Sequence, residues 1–286
     1  MHKYFNSILI PVDLSVNTEL AVKKGVELAD EGTVIHLLHI QNHFASFLPN
    51  ATKEYFIRNN NLTDEGYVDN CLVQWKKTIE ESRPVKVCVW NMVASSIQDT
   101  IVQKAKQLNV NLIIIGKHSS HSWFPFLNTV NPTHLVQNTG ITVLTAKPGS
   151  MYNKVKKIVV PVSTRSVYDK MEIIIALNRK FKLRLYLATI MDKHREPLGF
   201  YAASLLDLYK WVKTTVHCPV EYVVLKGNNK AKAILNYAEK IQADGLLLYP
   251  DSETKIGWMN SEIGDVLPPS TKVEILTVQP QNSLTI

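Results

Sequence analysis

The feature that most constrains this chain is an internal repeat. The run Ile8–Val12, followed by Asp13, returns 150 residues later as Ile158–Val162, followed by Ser163. Both runs are rich in β-branched residues, end in Pro-Val and precede a segment with apolar positions at helical spacing. Such a run is typical of a strand buried in a parallel sheet. The 286-residue chain therefore predicts two copies of one strand-then-helix architecture.

The pattern of strands and helices continues in the same order through both halves. Strands that alternate with helices predict right-handed βαβ units and a parallel sheet. We therefore expect an α/β fold of two flavodoxin-like, doubly wound sheets in tandem, each with five parallel strands. The first domain would cover residues 1–148 and the second residues 149–286. The predicted strands are 8–12, 33–40, 85–90, 111–115 and 141–146, then 157–162, 183–190, 219–225, 245–249 and 272–278. The predicted helices are 16–30, 62–81, 95–108 and 131–138, then 167–180, 199–214 and 229–242.

The junction between the halves is also readable in the sequence. Lys147–Ser150 contains proline and glycine, which predict a linker. The last strand of each half, residues 141–146 and 272–278, is apolar and rich in β-forming residues. Because an uncovered edge of this kind invites wrong pairing, we expect these two strands to meet and the halves to form a pseudo-dimer within one chain. A homodimer of the whole chain stays open, and the sequence does not identify a protein partner.

The composition narrows the class of protein. The formal net charge is +7, but the basic residues are scattered and no basic run is interleaved with aromatics, so we expect no nucleic-acid binding. No run of 18 apolar residues occurs, and the first residues lack a signal-peptide pattern, so we expect no membrane association and a cytoplasmic location. The three cysteines form no CxxC pair and are predicted to be structural thiols.

Several motifs, taken in order, resemble the universal stress protein family. They are the start Ile8–Ser15, Leu38-His39-Ile40, Asn111–Gly116, Ile141–Thr145 and, in the second half, Ala243–Leu248. The resemblance implies a fold like that of the adenine nucleotide alpha hydrolases. In ATP-binding members, the loop after the fourth strand reads G-x2-G-x9-G-[S/T]. Glycines there let backbone N–H groups approach phosphate oxygens, and the aspartate after the first strand belongs to the nucleotide pocket.

This sequence departs from the ATP-binding pattern. Gly116 is present, but Ser119, Thr129 and Val130 stand at the later motif positions, and in the second half Tyr249 replaces the first glycine. The resemblance with these losses implies a stress-response binding or regulatory protein, not an enzyme, with no cofactor expected. The alternative is an ATP- or AMP-binding switch, a weak ATPase at most, that uses the first half. If a nucleotide is retained, the predicted ligand-binding residues are Pro11, Asp13, Gly116, His118, Ser119, Thr129 and Val130.

Other interpretations of single residues stay open. Asp13 either contacts a ligand or is a loop carboxylate that favours the N-terminus of the first helix. His118 and His121 have no carboxylate or cysteine at ligand spacing beside them, so no metal site is expected. The aromatic residues of the segment 123–126 either cover a pocket or pack the two halves together. A third, weaker interpretation is a pocket for a non-nucleotide ligand formed by residues 192–200 and 249–264.

Overall fold

The fold is taken from a computed structural model, which describes residues 4–42, 65–117, 130–162, 168–191, 198–256 and 261–280. Every predicted strand and helix is present, with bounds shifted by a few residues at most. The first half contains β1 Ser7–Val12, α1 Val16–Leu28, β2 Val34–Asn42, α2 Glu65–Ser82, β3 Lys86–Ala94, α3 Ile97–Gln107, β4 Leu112–Gly116, α4 Pro132–Thr139 and β5 Thr142–Ala146. The second half contains β6 Lys157–Pro161, α5 Tyr168–Phe181, β7 Arg184–Met191, α6 Leu198–Val216, β8 Val220–Lys226, α7 Lys230–Lys240, β9 Gly245–Leu248, β10 Lys255–Ile256, β11 Ser261–Glu262, α8 Ile263–Val266 and β12 Glu274–Thr277.

Ten of the described strands form one continuous sheet. Their order is β3-β2-β1-β4-β5-β12-β9-β6-β7-β8, so each half contributes five strands in the same relative order. Within this sheet, neighbouring strands of the same half are parallel, whereas β5 and β12 pair antiparallel, with Leu144 opposite Leu276. The short strands β10 and β11 form a separate antiparallel pair. The predicted meeting of the two last strands is therefore present. The expectation of two separate five-stranded sheets is replaced by a single sheet, because backbone pairing continues through the junction.

The apolar core also crosses the junction. Its largest cluster of buried side chains includes Ile8 and Leu144 from the first half and Ile158 and Leu276 from the second. Two further clusters lie against α3 with α4 and against α7. Since about 25 cal/mol is gained for each Å² of apolar surface removed from water, separating the halves would expose part of a shared core.

The predicted linker is packed into the structure and is not a loose tether. Pro148–Ser150 forms a 3₁₀ turn, and Ser150 is fully buried. A Cβ on Gly149 would lie 2.1 Å from the carbonyl oxygen of Ser270, so only glycine lets the two backbones approach this closely. The crossover from one half to the other is therefore held by contacts with the segment that leads into β12.

The helices begin where polar side chains can accept bonds from their first N–H groups. Ser15, Ser96, Asn131 and Asn229 fill this position for α1, α3, α4 and α7. Gly140 ends α4 in the left-handed conformation, with φ of 71°. None of the helices in the described ranges is both long and apolar enough to cross a membrane.

Candidate functional site

The site predicted by the strand order lies at the carboxyl ends of β1 and β4. In the sheet, β1 lies between β2 and β4, so the order of strands along the chain reverses direction next to β1. Ligands of doubly wound sheets bind beyond the carboxyl ends of the strands at this reversal. Pro11, Asp13 and Gly116 come together here. Val130 lies instead in the core cluster with Leu135 and is 1% exposed. His118, Ser119 and Thr129 lie outside the described residues.

Asp13 is engaged by the start of α1. Its Oδ1 accepts hydrogen bonds from the Ser15 backbone N–H at 3.0 Å, from the Ser15 hydroxyl at 2.5 Å and from the Thr18 hydroxyl at 2.5 Å. The backbone N–H of Asp13 donates to Thr18 Oγ1 at 2.9 Å. The turn between them holds Leu14 at a φ of 58°, a region that costs a non-glycine residue energy. These contacts are those of a carboxylate that shapes the entry into a helix.

Gly116 is a glycine because α1 leaves no room for a side chain. A Cβ at this position would lie 1.9 Å from the backbone carbonyl oxygen of Asn17. The first turn of α1 therefore fills the space above the end of β4. The next N–H group, that of Lys117, donates to the carbonyl oxygen of Ala146 at 2.9 Å. It extends the pairing of β4 with β5 and is not directed to a ligand.

His39 of β2, opposite Val12 at the end of β1, completes this cluster on the other side of β1. Its Nδ1 lies 2.9 Å from the carbonyl oxygen of Val12, and the residue is 4% exposed. Burial lowers the pKa of His39, although the bond to Val12 and the charge of Asp13 oppose the shift. A neutral ring that donates to Val12 fits this geometry, so His39 fixes the end of β1 just before Asp13.

Two lysines that sequence reasoning missed link this end of the sheet to the second half. Lys117 and Lys147 follow the opposed residues Gly116 and Ala146. The Lys117 ammonium lies 2.6 Å from Asp265 of α8, and the Lys147 ammonium donates to the carbonyl oxygen of Leu267. Burial and the neighbouring Lys117 charge lower the pKa of Lys147 to about 8. The signal was available in the sequence, since both lysines directly follow an apolar strand.

Glu262 lies near the same junction and is 7% exposed. Burial raises the pKa of its carboxyl group, while the charge of Lys117 acts in the opposite direction. The carboxyl ends of β4 and β5 therefore face acidic groups from the second half. Because these acidic groups lie beside Lys117 and Lys147, the contacts tie the two halves together.

The matching position in the second half, between β6 and β9, holds a buried ion pair. Lys170 of α5 lies 2.7 Å from Glu253 Oε2, and its side chain is 0% exposed. It also donates to the carbonyl oxygen of Pro161 at 2.9 Å and lies 3.9 Å from the centre of the Tyr249 ring. Burial lowers the pKa of Lys170, and the Glu253 charge opposes this. Ser163 lies outside the described residues.

Lys170 was also missed by sequence reasoning, although the repeat contains a signal for it. Counting 150 residues back from Lys170 leads to Leu20, an apolar residue buried on α1. A charge at the apolar position of a repeat is unusual, because burying an ammonium is costly unless a partner is present. The partner, Glu253, could not be identified in the same way, since it lies in a turn 83 residues further along the chain.

A cavity of about 710 Å³ lies at the opposite end of the first-half strands. It is lined by residues that precede β1, β4 and β5, including Asn6, Asn111 and Ile141, and by α5 residues such as Glu172 and Ile175. Parallel α/β sheets bind ligands at the other end of the strands. This cavity is therefore separate from the predicted site.

No metal site is found in the part of the chain that the structure describes. Within those residues, no group of three or more His, Cys, Asp or Glu side chains could hold a metal ion. His118 and His121 lie outside them. The three cysteines are free thiols of intermediate burial.

The strand order and the parallel pairing within each half define a doubly wound α/β protein. A comparison with protein families narrows this class. The model of the family described as "Universal stress protein family" matches residues 5–147, which is half of the chain. The chain therefore belongs to the universal stress protein family.

Solved structures show the same fold over nearly the whole chain. A universal stress protein from Archaeoglobus fulgidus DSM 4304 is similar over 96% of this chain and 98% of its own, with 15% identity and a TM-score of 0.67. A protein of unknown function from Pseudomonas aeruginosa PAO1 is similar over 97% and 94%, with 16% identity and a TM-score of 0.55. The cytoplasmic domain of a prokaryotic cation chloride cotransporter is similar over 96% and 95%, with 11% identity and a TM-score of 0.56. A search among curated proteins found no match.

Proposed function

We propose that this chain is a stress-response binding or regulatory protein that does not use ATP in the ordinary way and is not an enzyme. Membership of the universal stress protein family supplies the stress-response class. The observation that carries the proposal is the filled space at Gly116, where an added Cβ would lie 1.9 Å from the Asn17 carbonyl oxygen. The first turn of α1 therefore packs directly against the end of β4 and leaves no room beside Gly116 on that side of the strand.

Two further groups at this edge support the proposal. Asp13, which would contact a nucleotide, has its Oδ1 engaged by Ser15 and Thr18. The N–H of Lys117, the first after Gly116, donates to the carbonyl oxygen of Ala146. A backbone N–H group with a good intramolecular partner gains little by exchanging it for a ligand. The Asp13 carboxylate and the Lys117 N–H are therefore both engaged within the chain.

We also propose that the second half, residues 149–286, is a second, more divergent unit of the same family. The two sets of five strands have the same relative order, and they meet through their last strands. Paired in this way, the halves would act as a pseudo-dimer within one chain. The function of such a module would be to bind a protein partner through its outer surfaces, and the chain would need no second copy to complete the pair.

The test is a thermal-shift titration of the purified protein with ATP and magnesium. A ligand that binds only the folded state at a hundredfold excess over Kd stabilises it by about 2.7 kcal/mol. We expect no shift at millimolar ATP. Asp13→Ala is measured beside Asp207→Ala, which removes an exposed carboxylate from α6 in the second half.

One outcome would overturn the proposal in favour of the ATP- or AMP-binding switch. That outcome is an ATP-dependent rise in melting temperature that is lost in Asp13→Ala and kept in Asp207→Ala. Native mass spectrometry of the untreated protein provides an independent measurement, because a tightly held nucleotide would add its mass to the chain.

A further inference from the structure

The second half contains a fully buried charged group at the point where the strand order reverses. Lys170 stands in the first turns of α5, and its ammonium group lies at the carboxyl ends of β6 and β9. Its side chain is 0% exposed. Because an isolated ammonium group is strongly disfavoured away from water, the position requires a nearby anion.

The anion is the side chain of Glu253. Its Oε2 accepts a hydrogen bond from the Lys170 ammonium at 2.7 Å and another from the backbone N–H of Tyr249 at 2.7 Å. Tyr249 is the first residue after β9. A strand-end N–H and a lysine ammonium that converge on one oxygen form the donor set of an anion-binding site.

The chain bends sharply to place this carboxylate. In the turn after β9, Asp251 has a φ of 60°, and the N–H of Ser252 donates to the carbonyl oxygen of Pro250 at 2.7 Å. The Tyr249 hydroxyl donates to Asp169 at 3.4 Å and helps to hold the ring 3.9 Å from the Lys170 ammonium. A non-glycine residue in the left-handed region costs energy, so the buried contacts of Glu253 hold the turn in place.

We propose that the second half contains a binding site for a small carboxylate anion, and that the chain's own Glu253 occupies it. The inference goes beyond the proposed function, which concerns the first half and the junction. Removal of the Glu253 side chain should leave a site for a free carboxylate of the same size. Glu253→Ala removes one methylene and the carboxylate, and acetate has the same number of heavy atoms as that group.

The experiment is a rescue of Glu253→Ala by sodium acetate, followed by thermal unfolding at neutral pH. Sodium chloride at equal ionic strength and acetamide, the neutral analogue of acetate, are the controls. Loss of one partner from a buried ion pair should lower the melting temperature by about 6–12 °C in the chloride buffer. We expect acetate at about 0.1 M to recover at least half of that loss, whereas acetamide and chloride should not.

Two further proteins make the result specific to the proposed site. Acetate should leave the wild type unchanged, because Glu253 already occupies the position. It should also leave Lys170→Met/Glu253→Ala unchanged, because that variant lacks the cation that binds the anion. If Glu253→Ala does not fold in chloride, refolding in acetate supplies the same readout, and recovery of folded protein in acetate alone supports the site.

Three results would overturn the inference. Acetate could fail to stabilise or refold Glu253→Ala, it could stabilise all three proteins equally, or chloride could match it. In each case the Lys170–Glu253 pair would be a structural ion pair without ligand specificity. None of these results bears on the ATP titration, which probes the first half.

Discussion

A buried ion pair joins the two halves and makes the stability of the chain depend on pH. Lys24 of α1 lies 2.6 Å from Glu274 of β12, and the two side chains are 2% and 4% exposed. Lys24 also donates to the carbonyl oxygen of Asn153, at the crossover between the halves, at 3.1 Å. The perturbation that isolates this contact is Glu274→Gln, which keeps the shape of the side chain and removes its charge.

The magnitude follows from the two pKa values of Glu274. Burial raises the pKa of its carboxyl group from 4.5 to about 7, and the charge of Lys24 opposes the shift. Between these values the folded state binds a proton that the unfolded state has lost, so the free energy of unfolding falls as pH rises. One pKa unit corresponds to 1.36 kcal/mol, so the fall across this window is about 3 kcal/mol.

The assay is chemical unfolding of the wild type and Glu274→Gln at several values of pH between about 4 and 8. We expect the difference in unfolding free energy, wild type minus variant, to fall by about 3 kcal/mol over this range. Glu221→Gln is the matched control, because Glu221 forms an exposed ion pair whose side chains are both 54% exposed. Parallel pH profiles for the wild type and Glu274→Gln would refute the reasoning.

The remaining predictions concern the junction and the glycines of the first half. Ile275→Lys places a charge on β12 at a residue that is 4% exposed. We expect the free energy of unfolding, measured by chemical unfolding, to fall by more than about 2 kcal/mol, or the oligomeric state, measured by light scattering, to change. Val266→Lys, at a residue that is 50% exposed, should change neither, and equal behaviour of the two variants would contradict a buried junction. Gly116→Ala should cost about 3 kcal/mol or more in the same assay, because its Cβ meets the Asn17 backbone. In Gly140→Ala the added Cβ meets nothing within 4 Å, so the free energy of unfolding should fall by only about 1–2 kcal/mol because of the left-handed φ. A larger loss for Gly140→Ala than for Gly116→Ala would contradict the packing described at Gly116.

The fold was largely predictable because its signals are local. An apolar run such as Ile8–Val12 encodes a buried strand, and Ser15, Ser96 and Asn131 mark helix starts through bonds to nearby N–H groups. The candidate site was predictable only in part. The sequence placed Asp13 and Gly116 at one edge, but it left open whether each serves a ligand or the chain. That choice depends on how closely α1 approaches β4, a distance that no local pattern specifies.

The sequence by itself determined the order of the strands and helices, and it predicted that the last strands of the two halves meet. Only the tertiary structure decided that the two halves share one sheet and one core, that α1 fills the space above Gly116 and that Lys170 finds Glu253. The physical reason is the distance along the chain over which each interaction acts. Periodicity and turn chemistry act over a few residues, whereas buried ion pairs such as Lys170–Glu253, 83 residues apart, exist only once the folded chain brings them together.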